Sequence, residues 1–202
     1  MCGNPSPEPQ RGEQEVMNVT TLPVVRFDLK IAPDHVALNY TVSNTTSTAI
    51  LLFDRLYDMK AKSLDPDWAY VEVDRSSVAI TRAVETLPPG LLMENPPVPY
   101  AREVPAGAEA QGTIRIALPI EEVGPYYHIT RKGNSRDVSI TKLDVRLGWS
   151  PKPADGAPAT GGSWVDLEGE RLLLLPYWTA IKAQRIARSE PRTVNLKGKV
   201  VR

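Results

Sequence analysis

Cysteine is almost absent from this chain of 202 residues: Cys2 stands alone. One cysteine excludes an intramolecular disulfide and a cysteine metal cluster. Histidine is nearly as scarce. His35 and His128 are the only two, too few for a three-histidine zinc site, and each sits beside a turn or loop as surface histidines do. Charge of either sign is not in excess, since 24 Lys and Arg balance 24 Asp and Glu. A net charge of zero gives no general attraction to nucleic acid or to an anionic membrane, so neither nucleic acid nor a charge-driven lipid surface is an expected partner. No apolar run approaches the ~20 residues of a membrane helix; Leu172 to Trp178 is far too short. Catalytic signatures are missing as well: no GxSxG, no HExxH, no GxGxxG before a helix, no GxxxxGKS or GxxxxGKT. No residue is assigned a catalytic or metal-ligating role, and no cofactor is expected.

What is present is an apolar fraction of 42%, 19 prolines and recurrent Val, Ile and Thr. That composition supports a core and favours strands and turns over helices. The stretch His35 to Tyr57 organises the reading. Val36, Leu38, Tyr40 and Val42 alternate with Ala37, Asn39, Thr41 and Ser43, the period of a half-buried strand. Asn44-Thr45-Thr46-Ser47 then favours a turn. Ala49 to Phe53 is apolar on both faces, as in a strand in mid-sheet or one that switches sheets. The pair is expected to form a hairpin.

Other strands follow the same logic. Val24–Ile31 is expected to face Val25, Phe27, Leu29 and Ile31 inward. Trp68–Asp74 and Ser77–Val84 read as a hairpin bent at Arg75-Ser76. Gly112–Leu118 and Val138–Trp149 alternate cleanly, and Arg171–Leu175 is an apolar strand. Between them, residues 85–107 hold six prolines, which exclude helix and central strand. This segment reads as a long extended crossover between sheets. Residues 150–163 read as a flexible low-complexity loop, with Trp149 and Trp164 near each other at its mouth. Trp178 to Leu196 reads as a terminal hairpin turning at Glu190-Pro191, while Ile181 and Arg185 at helical spacing are the competing pattern. Residues 1–22, with Pro5, Pro7 and Pro9, read as a disordered tether, and 23–202 as one β-sandwich domain with a C-terminal extension.

Among charged candidates, Asp65-Pro66-Asp67 reads as an ordinary turn rather than a calcium loop. Asp54 and Arg55 suit structural ion pairs. Asp34 and His35, as neighbours on a strand, should face apart. Two features could bind a partner. One is the apolar island Leu91-Leu92-Met93 with Tyr100, on a Pro-rich backbone that loses little entropy on docking; packing back over an open end of the core is the competing account. The other is the basic C-terminal segment, including Arg185, Arg188, Lys197 and Lys199, which could meet an acidic surface or simply protect a charged edge from aggregation.

Short strands, turn signals about every ten residues and the Pro-rich crossover predict an all-β, antiparallel β-sandwich with a C-terminal hairpin. Over residues 24–149 the pattern resembles the immunoglobulin-like domains of bacterial envelope proteins. The run Met1-Cys2-Gly3-Asn4-Pro5-Ser6-Pro7-Glu8-Pro9 resembles the start of a mature bacterial lipoprotein. That resemblance implies lipidation of Cys2, a lipobox just before it in the native gene, and a periplasmic, membrane-anchored position; a cytoplasmic protein with an incidental cysteine is the alternative. The expected role is non-enzymatic, binding a protein partner or supporting an envelope assembly. A second reading is a β-sandwich proteinase inhibitor. Asn44–Thr48, Gly161–Trp164 and Pro176-Tyr177-Trp178 resemble the loop order of chagasin-type cysteine-protease inhibitors, although here a tyrosine separates Pro176 from Trp178.

Overall fold

The computed structural model describes residues 22–58, 61–127, 133–153 and 161–201. Cys2, His128 and residues 154–160 of the expected loop lie outside the described residues. The first strands are β1 (Val24–Ile31), β2 (His35–Ser43), β3 (Ile50–Arg55), β4 (Tyr57–Asp58), β5 (Ser63–Leu64), β6 (Tyr70–Asp74) and β7 (Ser77–Arg82). They are followed by β8 (Tyr100–Val104), β9 (Glu109–Ala117), β10 (Ile120–Glu121), β11 (Ser135–Pro151), β12 (Ser163–Leu167) and β13 (Glu170–Leu174). A seven-residue helix, α1 (Tyr177–Ala183), then leads into β14 (Arg185–Arg188) and β15 (Arg192–Val201). The fold is all-β, with sheets packed in a sandwich-like arrangement.

One layer is a three-stranded sheet in the order β1-β2-β9. Its inner face carries Val25, Phe27, Val36, Leu38, Tyr40, Val42 and Ile114, all buried. The other layer is built along β11, a 17-residue strand. Four strands pair with it. Along one edge β15 lies beside Ser135–Leu143 and β14 beside Arg146–Trp149. Along the other, β7 lies beside Lys142–Leu147 and β3 beside Gly148–Pro151. From β3 the sheet continues through β8 and β13 to β12. Most pairings are antiparallel, but β7 runs parallel to β11 and β10 parallel to β15. Leu143, Val145, Leu147 and Trp149 of β11 face the small sheet in the main core.

β2 and β3 do not form the expected hairpin. They lie in different sheets, and the Asn44 segment arches between the layers. Burial gives the reason. β2 has one apolar face and leaves Asn39 exposed, whereas β3 is apolar on both. Ile50 and Leu52 enter the main core; Leu51 and Phe53 enter a second cluster with Ala101, Leu173, Tyr177 and Ala180. A strand with two buried faces needs cover on both sides, which α1 and β13 supply. Asn44 itself is buried, donating to the carbonyls of Thr48 (2.9 Å) and Val104 (2.9 Å) while its Oδ1 accepts from Thr46.

Further differences are local. Ile31 is 55% exposed because β1 outruns the core there. β8 is a central strand despite the proline-rich flank, because Pro99 and Pro105 fall just outside it and the ladder loses no donor. Trp149 and Trp164 are not neighbours across a hairpin. Their strands are separated by β3, β8 and β13, and each indole sits under a different arginine, Arg185 at 5.4 Å and Arg171 at 5.3 Å. The C-terminal segment is helix first and strand second. β14 and β15 both pair with β11 and not with each other, so Glu190-Pro191 marks an interruption in one long strand rather than a hairpin turn. Ser189 fills the gap: its N–H donates to the Val145 carbonyl and its Oγ accepts from the Val145 N–H, both 3.0 Å. Asp34 lies in the bend before β2, not on the strand, and this lets its carboxylate reach His35 Nδ1 at 2.7 Å.

A proline and aromatic cleft with an acidic rim

A cleft of about 940 Å³ opens beside the second apolar cluster, within the size range of ligand sites. Three walls form it. The first is the proline-rich run 94–99, with Pro96, Pro97 and Pro99. Proline fixes φ and has no N–H, so this wall presents flat rings and little backbone donor capacity. The segment that leads to this wall is held further upstream, at Val84 to Leu87. Gln184 brackets Val84 as a strand would, its Oε1 accepting from the Val84 N–H (2.6 Å) and its Nε2 donating to the Val84 carbonyl (3.0 Å). The Tyr177 hydroxyl accepts from the Leu87 N–H at 2.8 Å and donates to the Glu85 carbonyl at 3.2 Å.

The second wall is the step from β13 into α1, Leu174 to Trp178. Pro176 precedes the helix, where its missing N–H costs nothing. Successive helical residues point about 100° apart. Tyr177 therefore turns into the apolar cluster while Trp178 turns out, 64% exposed, with the two rings 4.9 Å apart and edge to face.

The third wall comes from the end of β3 and the loop that follows. Tyr57 meets Tyr100 edge to face at 5.9 Å, and Trp68 meets Tyr70 at 5.8 Å. The Asp65-Pro66-Asp67 turn sets the position of Trp68, as Asp65 Oδ1 accepts from the N–H groups of Asp67 and Trp68. Arg82 clamps the same loop from below. Its guanidinium is buried and donates to the carbonyls of Trp68 (2.8 Å), Pro66 (2.5 Å) and Thr113 (3.0 Å), and to the Tyr40 hydroxyl (3.1 Å).

Behind the cleft, that clamp belongs to a network joining both sheets. Asp54, wholly buried, accepts from the Tyr40 hydroxyl (2.7 Å) and from Arg102 Nη2 (2.5 Å) and Nε (3.1 Å). Arg55 forks onto Glu170 at 2.8 and 3.0 Å. Both residues therefore serve in structural ion pairs, as their sequence context implied.

Electrostatics leave the cleft phenolic and acidic. Burial first, then the nearby Glu85 carboxylate, raise Tyr70 above the usual tyrosine range. Burial also pushes Tyr126, which lies outside the cleft lining, up to about 12. Such phenols stay protonated near neutral pH. Among the described lining residues the acidic side chains are Asp58 and Glu94.

The expected binding residues divide. Tyr100 is in the cleft wall. Leu91, Leu92 and Met93 are not in its lining; Leu92 stands 94% exposed at a turn closed by the Leu91 N–H on the Pro88 carbonyl. Leu91 and Met93 on either side of it are half-buried. Arg185, Arg188, Lys197 and Lys199 lie along β14 and β15, away from the cleft. Arg185 covers Trp149, Arg188 stands opposite Arg146, and Lys199 is 3.8 Å from Glu121. Of the three inhibitor-like loops, Gly161, Ser163 and Pro176–Trp178 do meet at the cleft. Asn44–Thr48 instead abuts Val104, at the opposite end of β8 from Tyr100. Sequence reasoning did not single out Tyr57, Trp68 or Glu94. The signal available was aromatic residues at strand ends next to turns.

No protein-family model matches the chain, and no match was found among curated proteins or solved structures.

Proposed function

We propose that this protein is a non-enzymatic binding module of a bacterial cell envelope, anchored on the periplasmic side by a lipid on Cys2, and that it receives a protein partner in the aromatic cleft. The observation that carries the reading is Trp178. A lone exposed apolar residue needs no explanation. Here the indole stands at the mouth of one concavity with Tyr57, Trp68 and Tyr100, and Trp and Tyr are the residues on which binding energy concentrates. The anchor rests on Cys2 and the proline-rich run behind it, a composition suited to a tether.

The experiment is site-specific photo-crosslinking in intact cells. A benzophenone side chain at position 178 should give one discrete protein adduct, and the adduct should disappear when Tyr57→Ala is added. The same group at Lys197 should give none. Equal adducts from both positions, or none from 178, overturn the cleft as the working surface. In the native gene, Cys2→Ser should move the protein from the membrane fraction to the soluble fraction. Retention of the variant in the membrane fraction overturns the anchor.

A further inference from the structure

We infer that the outer edge of β1 is a self-association surface, occupied by β1 of a second copy of this chain, paired antiparallel about a two-fold axis at Phe27. This goes beyond the binding reading above and does not rest on it. The Ala32 N–H donates to the His35 carbonyl (2.8 Å), and the Asn44 N–H to the Ala108 carbonyl (2.9 Å). Odd-numbered residues of β2 therefore turn their N–H and C=O toward β1, and even-numbered ones toward β9. Arg26 stands opposite Thr41 and Asp28 opposite Asn39. The even-numbered residues of β1 thus bond β2, and Val25, Phe27, Leu29 and Ile31 turn their backbone groups outward. Among the described residues, only one of these outward groups has a partner: the Phe27 carbonyl accepts from Arg192 at 2.9 Å. A carbonyl has two lone pairs, so that bond leaves an acceptor for a strand. The opposite edge of the same sheet is covered. On β9 the carbonyls of Gln111 and Thr113 accept from Arg102 and Arg82, and the Arg115 N–H donates to the Asp67 carbonyl. β1 offers eight residues of open ladder, bounded by Pro23 and Pro33, with a groove of about 510 Å³ along Val25 to Asp28.

An open edge invites any strand; the charges of β1 select its own copy. Outward backbone groups meet outward groups only when odd-numbered residues stand opposite odd-numbered ones. With Phe27 opposite Phe27 of the second copy, Val25 meets Leu29 on the inner face. Arg26 then meets Asp28 on the outer face, and the two-fold repeats that pair. An axis at Asp28 would set Asp28 against itself and Arg26 against Lys30, and would turn the outer charges into like pairs. An axis at Leu29 would match Asp28 to Lys30 but would run Val25 against Pro33, which shortens the ladder. Arg26 and Asp28 are exposed, and their neighbours on β2 are the uncharged Thr41 and Asn39. The charge pattern of β1 is therefore not matched within its own sheet. Opposite charges facing across an antiparallel pair stabilise it, and like charges destabilise it.

The test is sedimentation velocity of the full chain at about 5 to 500 µM, with a reductant present so that Cys2 cannot link copies. A single strand pair is smaller than a standard interface of about 1,600 Å², so dimer should appear in the upper part of that range. R26D and D28R should each weaken association about tenfold at low salt and less at high salt, because each sets like charges opposite one another twice. The R26D/D28R double variant should associate as the parent does, and so should an equimolar mixture of the two single variants. Both positions are exposed, and the unfolding midpoint of each variant serves as the folding control. Amide exchange read by NMR should slow at Val25, Phe27 and Leu29 as dimer forms, and stay unchanged at Arg115. A parent that remains monomeric at about 500 µM overturns the inference. So does a double variant that folds and does not associate, or a dimer that forms without slowing those three amides. Slow exchange at the same amides in a monomeric parent would give the edge to another segment of the chain, and that also overturns it.

Discussion

Arg82 offers the most demanding test of how the two sheets are joined. Its guanidinium is 1% exposed and sits at the end of β7. It reaches Thr113 of the small sheet, Tyr40 of the same sheet, and the Pro66–Trp68 loop of the cleft wall. Arg82→Met keeps much of the stem and removes the five donors. It removes the donor shared by four carbonyls, those of Trp68, Pro66, Thr113 and Asp54, and by the Tyr40 hydroxyl. A buried polar group left without its partner costs about 1–3 kcal/mol. The sum is smaller than five such terms, because a carbonyl has two lone pairs and water can enter a polar gap. Deleting one member of a buried charged network costs about 3–5 kcal/mol, and that is the expected loss. Arg82→Lys should recover little of it. One ammonium at the end of a thinner stem cannot address acceptors arranged for a planar fork, so a loss of at least about 2 kcal/mol should remain. Equilibrium urea unfolding followed by tryptophan fluorescence measures both, with the slope against denaturant reporting whether the transition stays two-state. Losses under about 1 kcal/mol for both variants would refute the claim that this cation bridges the layers.

Further outcomes follow from the same packing. Leu38→Ala and Leu143→Ala, both fully buried in the main core, should each cost about 2–5 kcal/mol; an unchanged unfolding midpoint would overturn the facing of β2 and β11. Gly112 lies directly across the ladder from Tyr40, and a Cβ there would overlap the Tyr40 hydroxyl. Gly112→Ala should therefore destabilise the chain, whereas Gly112→Ala with Tyr40→Val, which removes the ring that the Cβ would overlap, should lose less than the two single changes added together. Glu85 is raised above the ordinary carboxylate range by burial first and then by Glu72, with Arg146 opposing. Its folded form holds the proton more tightly than the unfolded chain, so its contribution is full below the unfolded pKa, roughly 4.3, and lost as pH rises through the folded value. Glu85→Gln should stabilise at pH 7 relative to the parent, with the difference vanishing near pH 4; a difference that grows on acidification would reverse the assignment. Glu170, lowered chiefly by its bond to Arg55, runs the other way: its contribution is present at neutral pH and fades as pH falls through the folded value.

Alternation along single strands was enough to place most of the core, because a half-buried strand writes its facing into a period of two. Leu38, Tyr40, Val42, Ile114, Leu143, Val145 and Leu147 are all buried as that period requires. Pairing was less legible. Asn44-Thr45-Thr46-Ser47 looks like a hairpin turn, yet turn chemistry states only that the chain bends. The deciding clue lay in Ala49 to Phe53, whose two apolar faces are incompatible with a neighbour that leaves Asn39 in solvent. A one-faced strand and a two-faced strand belong to different sheets. The same ambiguity affected Trp178 to Leu196. Both periods were genuine, but they applied to consecutive halves, seven residues of helix and then four of strand.

The cleft was hardest to see because its residues come from six separated stretches and have no spacing in common. Tyr100 stood out only because it follows the prolines, and the neighbouring Leu91-Leu92-Met93 drew attention through hydropathy alone. Burial shows why hydropathy misleads there. Leu92 is the most exposed large apolar residue described and yet makes no concavity, while Trp178 is less exposed and sits in one. What makes a recognition surface is convergence, several rings held at fixed angles over one volume. In this chain the fixing is done from beneath, by groups that never touch the cleft's contents. Arg82 holds the Trp68 loop and Gln184 holds Val84, at the start of the segment that leads to the proline wall. The requirement to cover both faces of β3 brings α1 against the sheet, and α1 turns Tyr177 inward and Trp178 outward. The recognition surface is in this sense a consequence of a strand with no polar face.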